Sequence, residues 1–299
     1  MQSEAPGRLS ELRRLSFGGD LESQFSLGLM AAEPSLDEPG LEELAGELPK
    51  AVRSLAKASG SGNPEALNAL GLCYAGGRGV PKNLKESARL FSMADKAGFI
   101  PATVNLALSY GNGAGVQLDY NMALELFEKA VKAENPVAWY NLGLAWYNGV
   151  GTSANPGQAA FCFEKAGKGG VRDAHAALGY MLLEGSAGKR DCPKALDSLE
   201  KAAALGSKTA MFAIATVWHN GDCGAADPDK SMEWLKIAAD AGHPLAMRIV
   251  SGSSPGAGGK GTAGAGGSKK GKGAKGSIPS ANPKPPAFCG PPPSLPPGR

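Results

Sequence analysis

The chain is poor in the residues that carry most enzyme and metal chemistry. Its 299 residues include three histidines and five cysteines, Cys73, Cys162, Cys192, Cys223 and Cys289. The cysteine count is odd and no C-x-x-C pair occurs, so neither a disulfide framework nor a zinc cluster is expected. That usage fits a reducing compartment. No apolar run approaches the ~18 residues of a membrane span, so no transmembrane segment is expected. The opening MQSEAPGRLSELRRLSF lacks the apolar stretch of a secretory signal. Its arginines stand beside Glu4 and Glu11, whereas organelle transit peptides are poor in acids. The expected location is therefore cytoplasmic, with organelle targeting through this segment as the alternative. Acidic residues are absent from 251–299, which holds seven basic ones. The net charge of +3 thus hides an acidic body and a basic tail, and a basic, nucleic-acid-binding body is excluded.

What the chain has in abundance is internal repetition, the signature to seek first. Ala66, Ala102, Ala138, Ala174, Ala210 and Ala246 lie 36 residues apart. Leu70, Leu106, Leu142, Leu178, Ile214 and Val250 keep the same register, as do Gly77, Gly113, Gly149, Gly185 and Gly221. Ala94, Ala130, Ala166, Ala202 and Ala238 form a further column.

Each column has a physical reading. Ala66, Leu70 and Tyr74 share one face of a helix. Pro64, Pro136 and Pro244 suit the first helical turn, where the missing N–H has no partner to lose. The glycine column closes this first helix through a left-handed backbone. Asn83, Asp119, Asn155, Asp191 and Asp227 then stand where a second helix needs an N-cap. Asn83 with Glu86, and Asn155 with Gln158, have the spacing of a capping box. Phe91, Phe127, Phe163, Leu199 and Leu235 each precede the second alanine column by three residues, so two helices are expected to meet closely there. One such pair cannot bury its apolar face alone; stacked neighbours can.

The unit A-x-x-x-L-G-x-x-Y, a glycine turn, an Asp or Asn cap, then A-x-x-x-[FY]-x-x-A-A-x-x-G resembles the Sel-one-like repeat, a branch of the tetratricopeptide superfamily. ALNALGLCYAGGRGV and AWYNLGLAWYNGVG carry the match most fully. Repeats four and five depart from it, with Leu182 and Trp218 for Tyr and with GSAGK and GDCGA in the turn. The expected fold is all-α: a right-handed α-helical solenoid of about five 36-residue helix-turn-helix repeats with capping half-repeats. The expected division is a disordered 1–19, a degenerate N-terminal capping repeat at 20–62, the solenoid at 63–250 and a disordered Gly/Lys/Pro-rich tail at 251–299. In the capping repeat, Leu27 and Gly28 match Leu70 and Gly71.

The resemblance implies a non-enzymatic scaffold or adaptor that holds a peptide or helix in a concave groove lined by the first helices. Carried onto this chain, the partner-binding residues are Leu72, Leu108, Asn112, Tyr140, Leu144, Tyr147, Asn148, Tyr180, Leu183, Phe212, His219 and Asn220. Val104 and Glu184 share their columns. The alternative is a structural subunit built stably into a large organelle or cytoskeletal assembly. No H-E-x-x-H, G-x-S-x-G, Walker or dinucleotide-binding pattern occurs, and no catalytic residue, cofactor or metal is assigned. His175 falls in a packing column, and HNGDC (His219, Asp222, Cys223) reads as a repeat turn. The tail's PKPP and PPPSLPP are polyproline segments of the kind bound by SH3, WW or profilin-type partners. Its Lys-Gly stretch is a weak candidate for nucleic acid or an anionic surface, and Arg13-Arg14-Leu15-Ser16 resembles a basophilic kinase site at Ser16.

Overall fold

The computed structural model describes residues 48–252, with Ser26, Gly28, Leu29, Ala32 and Gly46 before them. Ser16, the Lys-Gly stretch and the proline-rich segments lie outside the described residues. The described residues form twelve helices and no strand. They fall into two compact units, the first ending at Gly170 and the second beginning at Val171.

The first unit contains α1 (Leu48–Gly60), α2 (Pro64–Gly76), α3 (Leu84–Lys96), α4 (Ile100–Asn112), α5 (Tyr120–Lys132), α6 (Pro136–Asn148) and α7 (Pro156–Lys168). The second contains α8 (Arg172–Glu184), α9 (Cys192–Ala204), α10 (Lys208–Asn220), α11 (Pro228–Asp240) and α12 (Pro244–Val250). Even-numbered helices are the first of a repeat and odd-numbered ones the second. Within each unit every helix packs on its sequence neighbours, so each unit is a stretch of repeat solenoid.

Capping explains why the boundaries recur. The side-chain oxygens of Asn83, Asp119, Asn155, Asp191 and Asp227 accept from the backbone N–H three residues on, at 3.0–3.2 Å. Their own N–H groups donate to the carbonyls of Tyr74, Tyr110, Trp146, Leu182 and Trp218 at 2.8–3.1 Å, which closes each helical hairpin. This second set corrects the expected capping box at Asn83. Because Tyr74 already takes the Asn83 N–H, Glu86 turns to Arg89 instead, at 2.6 and 2.9 Å. The Gly77, Gly113, Gly149, Gly185 and Gly221 caps all have φ between 64° and 74°.

Both alanine columns are fully shielded from solvent at every described position, from Ala66 to Ala246 and from Ala94 to Ala238. A methyl group is all that fits where the helices approach. The closest approach falls elsewhere, at a glycine on the first helix. A Cβ on Gly71, Gly143 or Gly179 would stand 2.6–2.7 Å from Phe91, Phe163 or Leu199. Gly28 stands in the same relation to Leu55. Between repeats, Thr103 Oγ1 and Lys129 Nζ both donate to Asp95, at 2.5 and 2.6 Å, tying α3 to α4 and α5.

The inter-helix turn of each of the first three repeats is also seated on the repeat before it. A Cβ on Gly79 would stand 2.8 Å from the Leu48 carbonyl, and one on Gly151 would stand 2.9 Å from Tyr120 Cβ. One on Gly115 would overlap the Leu84 carbonyl and stand 2.7 Å from Lys85 N. Turn glycine and seat are 31 residues apart each time. In the fifth repeat the turn position is Cys223 and its seat is Cys192, and here the joint is a disulfide across the same separation of 31. The expectation of no disulfide is thereby corrected. The pair escapes motif rules because its two halves belong to different repeats.

Candidate interaction surface

The first helices are apolar almost all round, as in PVAWYNLGLAWYN of α6, and so are largely enclosed by their neighbours. That decides where the groove candidates lie. In the first unit Leu108 is buried against Phe91, Phe127 and Val137, and Leu144 is fully buried. Tyr140 is 7% exposed, its ring tilted at 46° against Phe163 with centroids 5.7 Å apart. Leu72 is half-buried between two core clusters, and Val104 is buried. Tyr147 and Asn148 are half-buried, and Asn112 is exposed.

In the second unit Phe212 is fully buried and stacks on the His243 ring, 4.4 Å between centroids. Leu183 and Tyr180 pack on the cluster around Leu199 and Ile214. The Tyr180 hydroxyl donates to the Thr209 carbonyl at 3.4 Å, and burial pushes its pKa up to about 12. His219 is half-buried; Glu184 and Asn220 are exposed. Asn220 Nδ2 donates to Asp222 at 3.4 Å.

Within each unit the candidates therefore separate into buried side chains and a rim of helix-end residues. Leu108, Tyr140, Leu144 and Phe212 are core side chains and present no free face to a partner. Asn112, Asn148, Glu184 and Asn220 are the last residues of α4, α6, α8 and α10, with Tyr147 and His219 one residue before two of them. Beneath the rim lie buried amides that the sequence reading did not single out. Asn105 Nδ2 donates to Asn68 Oδ1 at 2.9 Å, and Asn141 Nδ2 donates to the Val137 carbonyl at 3.0 Å. Asparagines amid alanine and leucine in ALNALG, TVNLAL and WYNLGL were the available signal, because a buried amide needs partners.

Chemistry at the cysteines is equally divided. Cys73 and Cys162 are buried, and burial pushes both thiols up to about 11, which makes them poor nucleophiles. Cys192, opening α9, and Cys223, in the turn after α10, are half-exposed and joined to each other. Among the described residues, no three His, Cys, Asp or Glu side chains stand together to hold a metal. No described helix is long and apolar enough to cross a membrane.

Comparison with known proteins agrees with this architecture. The chain resembles a Sel1 repeat protein from Oxalobacter formigenes at 27% identity, covering 71% of this chain and 88% of that one, with a TM-score of 0.63. It also resembles c5321, a protective antigen of uropathogenic Escherichia coli with an SLR fold, at 23% identity and a TM-score of 0.60, covering 82% of this chain and 58% of c5321. The immunity protein PA5088 of Pseudomonas aeruginosa shares the fold at 16% identity, a TM-score of 0.52 and coverage of 79% and 88%. No curated protein matches the sequence significantly. The Sel1 repeat itself matches five times, at residues 64–98, 100–135, 136–171, 172–207 and 209–243, so that more than half of the chain is accounted for and the chain belongs to the Sel1 repeat family.

Proposed function

We propose that this protein is a non-enzymatic adaptor, acting in the cytoplasm, which holds a partner peptide or helix against the C-terminal ends of its first helices. Sel1 repeat proteins are in general protein-interaction scaffolds. The observation that carries the site is the recurrent rim: Asn112 and Asn148 end the first helices of one unit, and Glu184 and Asn220 those of the other. An amide offers a donor and an acceptor together, which suits the backbone of an extended segment. Tyr147 and His219 add rings beside two of these positions, and rings supply contact area with little rotamer freedom to lose.

The test is capture of partners from source-cell lysate by the full chain and by Asn112→Ala/Tyr147→Ala/Asn220→Ala. Phe161→Ala, on the second-helix side and 49% exposed, is the control. Loss of a defined partner from the triple variant alone, at an unchanged melting temperature, supports the adaptor reading. Equal capture by all three proteins rejects it.

A structural subunit is the second reading, and one observation favours it. Leu245, Met247 and Val250 of α12, with Met232 and Ile237 of α11, are exposed apolar side chains of the last repeat. Exposed apolar area of this kind marks a buried contact in a larger assembly. Full chain that sediments alone as a stable monomer would count against that reading.

A further inference from the structure

The joint between the fourth and fifth repeats differs in kind from those of the first three. There a turn glycine packs closely on the preceding helix; here Cys223 of the turn is bonded to Cys192 at the start of α9. Within its own repeat the turn is held by Asp222 N–H donating to the Val217 carbonyl at 3.1 Å and Gly224 N–H donating to the Gly221 carbonyl at 3.2 Å. A Cβ on its Gly224 would meet nothing within 4 Å. Noncovalent contacts across the joint include the Arg190 guanidinium donating to the Asp222 carbonyl, and Cys192 Sγ 3.6 Å from that same oxygen. If the bond opens, the Cys192 thiol can donate to the Asp222 carbonyl, so the reduced joint keeps a hydrogen bond.

We propose that Cys192–Cys223 is a thiol–disulfide exchange site for small thiols, a latch that fixes the turn of the fifth repeat when oxidised and frees it when reduced. A thiolate RS⁻ attacks Cys223 Sγ, forming an RS–Sγ bond as the Sγ–Sγ bond breaks and Cys192 leaves as a thiolate. A second RS⁻ attacks the small-thiol sulfur of that mixed disulfide, forming RSSR as the bond to Cys223 breaks and Cys223 leaves as a thiolate. The two protein sulfurs take up the two protons lost by the two RSH. The protein disulfide is reduced by two electrons and two RSH are oxidised to RSSR; the reverse reaction, with RSSR as oxidant, closes the latch.

The direction of attack follows from the surroundings. Cys192 is the first residue of the thirteen-residue α9, where the positive end of the helix dipole favours a departing thiolate. Arg190 lies two residues before it and bonds the turn that carries Cys223. The Asp191 carboxylate, which would oppose that charge, is engaged by the backbone N–H of Lys194 and by its ammonium at 3.2 Å. Both cysteines are half-exposed, whereas Cys73 and Cys162 are buried. In a reducing compartment such a bond is transient and suited to sensing. Where the proposed adaptor reading holds, the latch also governs His219 and Asn220, which directly precede the turn.

The experiment equilibrates the full chain over a series of reduced-to-oxidised glutathione ratios. Free thiols are alkylated under native conditions, and the peptides holding Cys192 and Cys223 are read by mass spectrometry. Both should become labelled together as the ratio turns reducing and lose labelling when oxidised glutathione is restored, while Cys73 and Cys162 stay unlabelled. Amide exchange of residues 221–226 should be about tenfold faster or more in the reduced protein, and Cys192→Ser should reproduce the reduced pattern. A bond that survives a large excess of reduced glutathione until the protein unfolds overturns the latch in favour of a permanent staple. A pair that never forms, or exchange rates alike in both states, overturns it as well. None of these readouts depends on a partner, so they fail or succeed separately from the adaptor reading.

Discussion

Replacing Gly115 by alanine asks directly whether each turn is seated on the repeat before it. Gly115 has φ +79°, and an added Cβ would overlap the Leu84 carbonyl and stand 2.7 Å from Lys85 N. These are backbone atoms in the first turn of α3 and cannot step aside as a flexible side chain would. Two costs add: ~1–2 kcal/mol for an L-residue in the left-handed region and ~1–3 kcal/mol for overpacking. Gly98→Ala supplies the internal control. Its φ is +82°, and a Cβ there meets nothing within 4 Å, so only the backbone cost of ~1–2 kcal/mol applies. Urea unfolding of both variants, followed by far-ultraviolet dichroism at matched slopes, measures the difference. Gly115→Ala should be the less stable by ~1–3 kcal/mol. Equal midpoints would refute the seating, because the two sites share their backbone angle and differ only in what lies beside them.

Four further outcomes are expected. Ala166→Leu, at a position with no exposed surface, should lower stability by ~1–3 kcal/mol through overpacking, read as a fall in the urea midpoint. Glu134 is a non-glycine residue with positive φ, 53°, in the column otherwise held by Gly98, Gly170, Gly206 and Gly242; Glu134→Gly should raise stability by ~1 kcal/mol, and an unchanged midpoint would count against strain there. The His243 ring caps α12 by accepting from Ala246 N at 3.3 Å and stacks on Phe212, and burial with the Lys208 charge holds its pKa below the ordinary 6.5. The neutral ring is the folded form, so its stabilisation is complete above pH 6.5 and is lost as pH falls through the lower folded value. Protection of the α12 amides, measured relative to their intrinsic exchange rates at each pH, should therefore fall on acidification below that point, and His243→Asn, which retains a capping acceptor, should remove this pH dependence.

Much of the fold was legible because each repeat solves the same local problems with the same residues. The Asn and Asp caps, the closing glycines and the two alanine columns all do what their side chains permit, and five units state it five times. The groove was less legible. A helical register tells which residues leave their own hairpin, but not which of those the next repeat then covers. Leu108 and Phe212 leave one hairpin only to enter the core of another, and Leu144 is fully buried. The near-continuous apolar composition of the first helices was the clue, since a helix apolar all round is an enclosed one. The disulfide was hidden for a different reason. Cys192 and Cys223 look unrelated along the chain, and only the 31-residue offset between a turn and its seat brings them together. That offset was present in Gly79 and Leu48, Gly115 and Leu84, and Gly151 and Tyr120.

The central claim is that partners bind at the ends of the first helices. It is tested most directly by hydrogen exchange on the full chain with and without its captured partner. The account predicts protection at the C-terminal ends of α4, α6 and α10, around Asn112, Tyr147 and His219, with the second helices unchanged. Protection confined to the second helices, around Phe161 or Met232, would contradict it.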